Sequence, residues 1–510
     1  MKVSSRIWHA TIYFFCSMQF LFIPQTAIAD QRGAPAKGSK IQQREQISRR
    51  QNFRETRSRR RPRRSVPIET PATQTKSDRR SPRRELDKTL GRLLRKNDVQ
   101  PIEIPIQNHE HVALGQKLFF DRILSGNYDT ACATCHHPLT NTSDDLALGL
   151  GTGVENPGAI GPFRIRGKGR TFVPRNSPHL FNLGSESWHT TYWDGRIATT
   201  GGSVISPAGP QLPLELRTPL QIQAMFPVTS RVEMRGSLED AQLGNEVAAI
   251  DDTDFIGIWS ALMDRLLEIE EYRQLFKTAF PSIPESSLGF QHAAIAIAAF
   301  EAEAFGMVDS PFDRYLAGDR SALDAGQKRG AILFYSSAKC SVCHSGTLMS
   351  DQKYHNLSVP QLGPGKSSIE GLDLGRFEWS RRDTDRYKFR TPSLRNVTQT
   401  GPWMHNGAFS NLAEVILHHL EPKRALEHNK VGTQLYQVEL RSTVVKDREV
   451  NRGMLETVSL PKYDLDEDEI AFLLRFLDSL TSDDLQTRLS TVIPSSVPSG
   501  LLEDGFLGNQ

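Results

Sequence analysis

Two short stretches constrain this chain more than anything else in it. They are Cys132-Ala133-Thr134-Cys135-His136 and, about 200 residues later, Cys340-Ser341-Val342-Cys343-His344. Each reads C-x-x-C-H. On one helical turn, residues three and four apart share a face. Two thiols can therefore reach the two vinyl groups of a haem while the adjacent imidazole reaches iron from the same side, which is the attachment signature of c-type haem. One such motif alone favours haem over a zinc knuckle, a redox dithiol or chance. Two of them, in a chain whose only other cysteine is Cys16, point to two covalent haems. Cys132, Cys135, Cys340 and Cys343 are then the attachment residues, with His136 and His344 as proximal iron ligands.

Cys16 falls in a segment that reads as a secretory signal peptide, residues 1–29. Lys2 and Arg6 precede an apolar run over 12–23, and Ala27-Ile28-Ala29 offers a small-residue cleavage site. The run is short for a bilayer span, and no later stretch is long and apolar enough to make one. The expectation is an exported, periplasmic protein with no transmembrane span once the leader is removed, in agreement with haem c attachment outside the cytoplasm.

The formal net charge of +3 hides an asymmetry. Residues 30–97 carry about 22 Lys and Arg against about 7 acids, which leaves the mature remainder at roughly −14. This stretch, with Arg57-Ser58-Arg59-Arg60-Arg61, has few apolar residues and is read as a disordered basic segment. It serves as a spacer or touches anionic lipid, cell wall or an acidic partner. The absence of interleaved aromatics and of a folded reading head argues against nucleic acid.

Helical apolar spacing marks residues 111–121 ahead of the first motif, then 256–280 and the Ala-rich 291–305. A Gly-rich loop follows the first motif, and residues 198–218 look like an inserted loop. After a boundary near 306–311 the pattern repeats: a helix over 321–334, the second motif, a Gly-rich loop, a helix over 411–420 and a closing helix over 466–480 with an acidic first turn that suits the helix dipole. The fold class is mostly α, two cytochrome-c-like haem domains facing each other. Residues 98–305 form the first haem domain, residues 306–485 the second, and 486–510 a mobile tail.

Several pieces shared in order carry a resemblance: Pro174-Arg175-Asn176-Ser177-Pro178, Tyr192-Trp193-Asp194-Gly195-Arg196, Gln223 with Pro227 and Val232-Glu233-Met234, residues 312–319 (FDRYLAGD), 391–396 (TPSLRN) and 401–407 (GPWMHNG). Together with the two motifs they resemble the bacterial di-haem cytochrome c peroxidases and the MauG-type enzymes that oxidise a partner protein. The resemblance implies hydrogen peroxide as oxidant. Electrons come from a small donor protein, a cytochrome c or cupredoxin, or from an oxidised protein substrate. It makes Trp193 the aromatic between the haems, lines the open face of the first haem with Gln223, Pro227 and Glu233, and implies one Ca²⁺ held by Asn176, Thr400 and Pro402, oxygen donors of a kind that suits calcium. A homodimer is compatible with the resemblance.

Two departures matter. The peroxidases that need reductive activation carry a distal His before the PRNSP stretch, whereas residues 138–178 contain no His here. That implies a first iron open to peroxide without prior reduction, as in the MauG branch. The family's second distal ligand, Met or Tyr, lies fourteen residues after the His of the GPWMHNG stretch, and counting from His405 gives His419. His418 and Met404 are the competing ligands. His137 is expected to face solvent. The functional expectation is a di-haem oxidoreductase reducing hydrogen peroxide at the first haem, with electrons relayed through the second. Glu233 is its acid–base. General peroxidase and maturase roles are both open, and a di-haem electron-transfer cytochrome without turnover is the alternative.

Overall fold

Each half of the chain brings a glycine-bearing helix up to its C-x-x-C-H motif and closes with a second helix laid across that glycine. The computed structural model describes residues 82–501, apart from positions 368, 370, 429, 430, 432–434, 459, 461 and 462. The expected leader, the basic segment up to 81 and the final residues 502–510 lie outside them. The helices used below are α1 (Pro82–Lys96), α2 (His109–Phe120), the single turn α3 (Cys132–Cys135), α4 (Pro219–Gln223), α5 (Phe255–Leu267), α6 (Glu270–Ala279), α7 (Phe290–Ala304), α8 (Ala325–Phe334), α9 (Leu412–Leu420), α10 (Glu467–Asp478) and α11 (Leu485–Thr491). Strands are few and short: β1 (Thr190–Thr191), β2 (Ile197–Thr200) and β3 (Ser203–Ile205) form one antiparallel sheet, β4 (Tyr354–His355) and β5 (Phe389–Arg390) another. The mostly helical fold class holds.

Local chemistry explains the helix starts. The Asn108 side chain caps α2, accepting from the Glu110 and His111 amides. Asp324 with Gln327 and Asp466 with Glu469 form reciprocal capping boxes for α8 and α10. A Cβ on Gly115 of α2 would lie 1.9 Å from the Ala296 carbonyl oxygen of α7, and one on Gly330 of α8 would lie 1.9 Å from the Phe472 carbonyl oxygen of α10. Only glycine permits either crossing.

Two buried clusters result. The first draws on α2, α5, α6 and α7, including Leu118, Phe119, Trp259, Phe276 and Phe300. The second draws on α8 and α10, including Phe334, Leu473 and Phe476. A third, drawn from both halves, joins Leu146, Leu148 and Phe172 to Leu362, Phe409, Val415 and Leu440. No helix among the described residues is long and apolar enough to cross a membrane.

Several expectations need correction. The segment 30–97 is not disordered throughout: residues 82–96 form α1, with Leu90 and Leu94 buried in the second cluster. Asp87 on that helix pairs with the fully buried Lys328 at 2.6 Å. The basic residues face solvent, so the charge count concealed an apolar stripe. The tail is likewise ordered from 486 to 501, because Leu485, Leu489 and Val497 pack into the first cluster. The first and last described helices, α1 and α11, thus pack on the core of the opposite half. The run 256–280 breaks into α5 and α6, with extended backbone at Ile269 (φ −92°, ψ 116°). Part of 198–218 is a hairpin whose Gly201 and Gly202 both have positive φ (57° and 79°), as a primed turn requires. His137 is buried, and its Nδ1 accepts from the Leu139 amide at the start of a helical turn.

Candidate active site

The first motif occupies the single turn α3, where Cys132 and Cys135 stand three apart and the His136 amide donates to the Cys132 carbonyl at 3.0 Å. The second motif makes a tighter turn over Cys340–Val342, and the His344 amide returns to the Cys340 carbonyl at 2.9 Å. Both imidazoles are oriented through Nδ1: His136 to the Thr142 carbonyl at 3.1 Å and His344 to the Met349 carbonyl at 3.0 Å. That leaves Nε2 as the nitrogen available to a metal, since a metal-bound His ordinarily gives its other ring nitrogen to a hydrogen bond. Burial pushes both rings down to about 4, so each is the neutral imidazole that a metal takes. Burial likewise pushes the Cys132 and Cys340 thiols up to about 12.

The second functional cluster sits around the turn between β1 and β2. Gln223 ends α4, which Thr218 caps, and Pro227 opens a short helical turn two residues before Thr229. Glu233 lies in a π-turn, Arg231–Arg235, a backbone form found at functional sites. The structure brings Gln223 and Glu233 together at Tyr192, whose hydroxyl bonds the Gln223 side chain and interacts with Glu233. The Arg196 guanidinium lies 4.0 Å over the Tyr192 ring. Burial raises the Glu233 carboxyl above its ordinary value, while Arg196, Lys366 and a hydrogen bond from Ser230 pull it down. Tyr192, Arg196 and Lys366 were not anticipated as site residues. Tyr192 immediately precedes the Trp-Asp-Gly-Arg turn, and that adjacency was the available signal.

Trp193 spans the two halves. Its Nε1 donates to the Asn176 carbonyl at 2.9 Å, and its own carbonyl accepts from the Arg390 amide at 2.7 Å. Beside it, buried Asp194 accepts from Arg175 at 2.7 Å and has Arg196 and Lys366 each at 3.4 Å. Asp373 receives both Nε and Nη2 of Arg175, at 2.6 and 2.8 Å. Against the penalty of burial, Arg175, Arg196 and Lys366 hold Asp194 well below the usual carboxylate range. Burial, reinforced by Arg175 and Arg196, pushes the Lys366 ammonium down to about 7. His405 is buried and stacks on Phe389 at 3.5 Å, and neither of its ring nitrogens has a protein partner among the described residues.

The competing ligands of the second motif differ in what holds them. His419 on α9 gives Nδ1 to the Val415 carbonyl at 2.8 Å and interacts with His344. His418 faces away, with Nε2 on the Leu357 carbonyl at 2.8 Å. Met404 packs on the third cluster. Asn176 meets the 400–407 segment through one bond, its amide donating to the His405 carbonyl at 2.7 Å. Its Nδ2 donates to the Leu146 carbonyl at 2.8 Å. The Thr400 hydroxyl goes to the Val397 carbonyl, and Pro402 follows a cis peptide bond. Among the described residues, the group of acid, thiol and imidazole side chains close enough to share an ion is Cys343, Asp351 and His355, which includes the second cysteine of the second motif.

Two C-x-x-C-H turns on a mostly helical scaffold, with Glu233, Gln223 and Tyr192 grouped in the first half, are the arrangement expected of a di-haem c-type oxidoreductase. Residues 109–321 match the family described as di-haem cytochrome c peroxidase. The chain is 31% identical over 315 residues to the methylamine utilization protein MauG of Methylorubrum extorquens, a match covering 61% of this chain and 69% of that protein. It is 32% identical over 305 residues to the cytochrome c551 peroxidase of Pseudomonas aeruginosa, covering 59% and 69%. In fold it is similar to a MauG-like protein associated with microbial copper homeostasis, with a TM-score of 0.51 at 24% identity over 78% of this chain and 96% of that one. The chain belongs to the di-haem cytochrome c peroxidase family, a family of peroxide-reducing enzymes with two haem c groups.

Proposed function

We propose that this chain is an exported peroxidase that reduces hydrogen peroxide beside the first motif and draws electrons in through the second. The observation that supports this reading is the meeting of Gln223, Tyr192 and Glu233, all partly buried, with Glu233 on a π-turn and its carboxyl raised by desolvation. The leader-like residues 1–29 support export to the periplasm.

The donor sets fit two haem c groups. Neutral imidazoles are oriented for iron, and the orphaned ring nitrogens of His405 and the cations around Asp194 suit the carboxylate edge of a porphyrin. Haem bound at Cys132, Cys135 and His136 supplies the metal at which peroxide is reduced. Glu233 takes a proton from one peroxide oxygen and returns it to the departing one. Gln223, held by the Tyr192 hydroxyl, orients the peroxide, and Pro227 lines the same face. Trp193 provides a π-system where the halves meet. Cys340, Cys343, His344 and His419 serve the relay haem, residues 98–305 and 306–485 forming the two haem domains apart from their exchanged ends. A histidine in place of a thioether lowers the potential of that haem. Asn176, Thr400 and Pro402 hold a calcium ion that pins the halves together.

A small cytochrome c or cupredoxin is the donor in this reading. A protein-oxidising maturase is the second reading, favoured by the His-free loop 138–178. Mixing the holoprotein with hydrogen peroxide and a reduced small c-type cytochrome tests the first: two cytochromes are oxidised per peroxide consumed. Peroxide left intact and cytochrome left reduced would indicate an electron carrier instead.

A further inference from the structure

The turn that carries Trp193 belongs to the first half of the chain, yet its carbonyls are held from the second. Tyr192 and Gly195 both have positive φ, 64° and 63°, a conformation that a tyrosine adopts only where its surroundings impose it. Four successive carbonyls of this turn accept hydrogen bonds from two arginines. Arg390 gives its Nε to Tyr192 at 3.0 Å and its amide to Trp193 at 2.7 Å. Arg376 gives Nη1 to Asp194 at 2.8 Å and to Gly195 at 3.4 Å.

Arg376 is itself built into place. Its amide donates to the Lys388 carbonyl at 2.8 Å, and at Gly375, with φ 64°, a Cβ would lie 2.4 Å from that same oxygen. Its guanidinium lies 3.9 Å over the Tyr354 ring of β4, and its Nε lies 3.9 Å from an Asp385 oxygen. Tyr354 closes on the turn as well. A Cβ on Gly195 would lie 1.8 Å from its hydroxyl, which is 3.2 Å from the Thr190 hydroxyl of β1. Only glycine at 195 lets the second half approach this closely. The indole has one hydrogen to give, and the Asn176 carbonyl takes it, so the ring's placement follows the backbone of the turn.

We propose that Arg376 is a positioning residue for electron passage between the halves that acts through Trp193: by holding the Asp194 and Gly195 carbonyls it fixes the turn, and with it the indole, against the second half. The inference rests on the relay role given to Trp193 above. One electron moves, leaving the second haem oxidised and the first reduced by one, and Arg376 neither gains nor loses it. The arginine supplies geometry, and a misplacement of about an ångström imposed from outside the reacting centre is costly.

The test uses the holoprotein with its second haem reduced and its first oxidised, as wild type and as Arg376→Met, Arg376→Gln, Arg376→Lys, Trp193→Phe and the double variant Arg376→Met with Trp193→Phe. Each is mixed rapidly with rising hydrogen peroxide. Loss of the ferrous absorption of the second haem reports the electron leaving it, and its rate levels off where transfer between the halves is limiting. A second readout needs no turnover: the ultraviolet resonance Raman band of the Trp193 indole N–H, identified by its loss in Trp193→Phe. The plateau falls by about 10-fold in Arg376→Met and Arg376→Gln, and the band shifts toward that of a free indole. Arg376→Lys, which keeps a donor, lies between, and the double variant is no slower than Trp193→Phe. If Trp193→Phe lowers the plateau but the Arg376 variants do not, the role of Arg376 is overturned and that of Trp193 stands. If Trp193→Phe leaves the plateau in place, both are overturned. A lowered plateau with an unmoved band, or losses that multiply in the double variant, mean a merely structural arginine and also overturn the proposal. A wild-type second haem left reduced by peroxide sinks the peroxidase reading and this inference with it.

Discussion

Replacing Glu233 by Gln lowers kcat for peroxide reduction by about 10²-fold or more, with both haem spectra unchanged. The substitution keeps the volume and hydrogen-bonding ability of the side chain but removes the site that accepts a proton. Burial raises the Glu233 carboxyl above its ordinary value, with Arg196 and Lys366 opposing. The basic form is therefore populated only above that raised value, and the wild-type rate falls as the pH drops through it. The variant loses this acid limb along with the rate. Steady-state turnover across the pH range checks both features together, and a variant at wild-type rate removes Glu233 from the mechanism.

The second large effect concerns stability. Asp194→Asn destabilises the protein by about 3–5 kcal/mol, because it leaves buried cations without their carboxylate. Asp194 is 2% exposed and is the shared partner of Arg175, Arg196 and Lys366. Asp373 is already bonded by two nitrogens of Arg175 and cannot move to serve all three. The pH dependence has a definite sign. The folded-state pKa of Asp194 is depressed, so its contribution is present above the ordinary aspartate range and is lost as pH falls through the depressed folded value. The gap between wild type and variant, read from urea titrations, is widest near neutral pH and narrows on acidification. Equal stability at neutral pH would show that the cations are neutralised from elsewhere.

Much of the site was legible in the chain because it is local. The spacing of Cys132, Cys135 and His136, and of Cys340, Cys343 and His344, fits a single turn. His419 was singled out by counting fourteen residues on from His405 in the family pattern, and its neighbour His418 lies a 100° step around the same helix, turned to the Leu357 carbonyl. What escaped was long-range or masked. Lys366 lies far along the chain from Glu233, in a Gly-rich stretch whose conformation depends on contacts to Leu372. The helix Pro82–Lys96 carries Leu86, Leu90, Leu93 and Leu94 at helical spacing, but surrounding Arg and Lys outweighed that stripe in a reading by composition. The residues after Leu485 look polar and Pro-rich, yet Leu489 and Val497 complete a core assembled mostly from residues before 310.

The asymmetry between the two irons is the core of this account, and electron paramagnetic resonance of the fully oxidised holoprotein measures it directly. One high-spin and one low-spin ferric signal in equal amounts is the predicted result, the high-spin signal from the His136 haem and the low-spin signal from the haem between His344 and His419. Two low-spin signals, or a spectrum with a single haem, would contradict it.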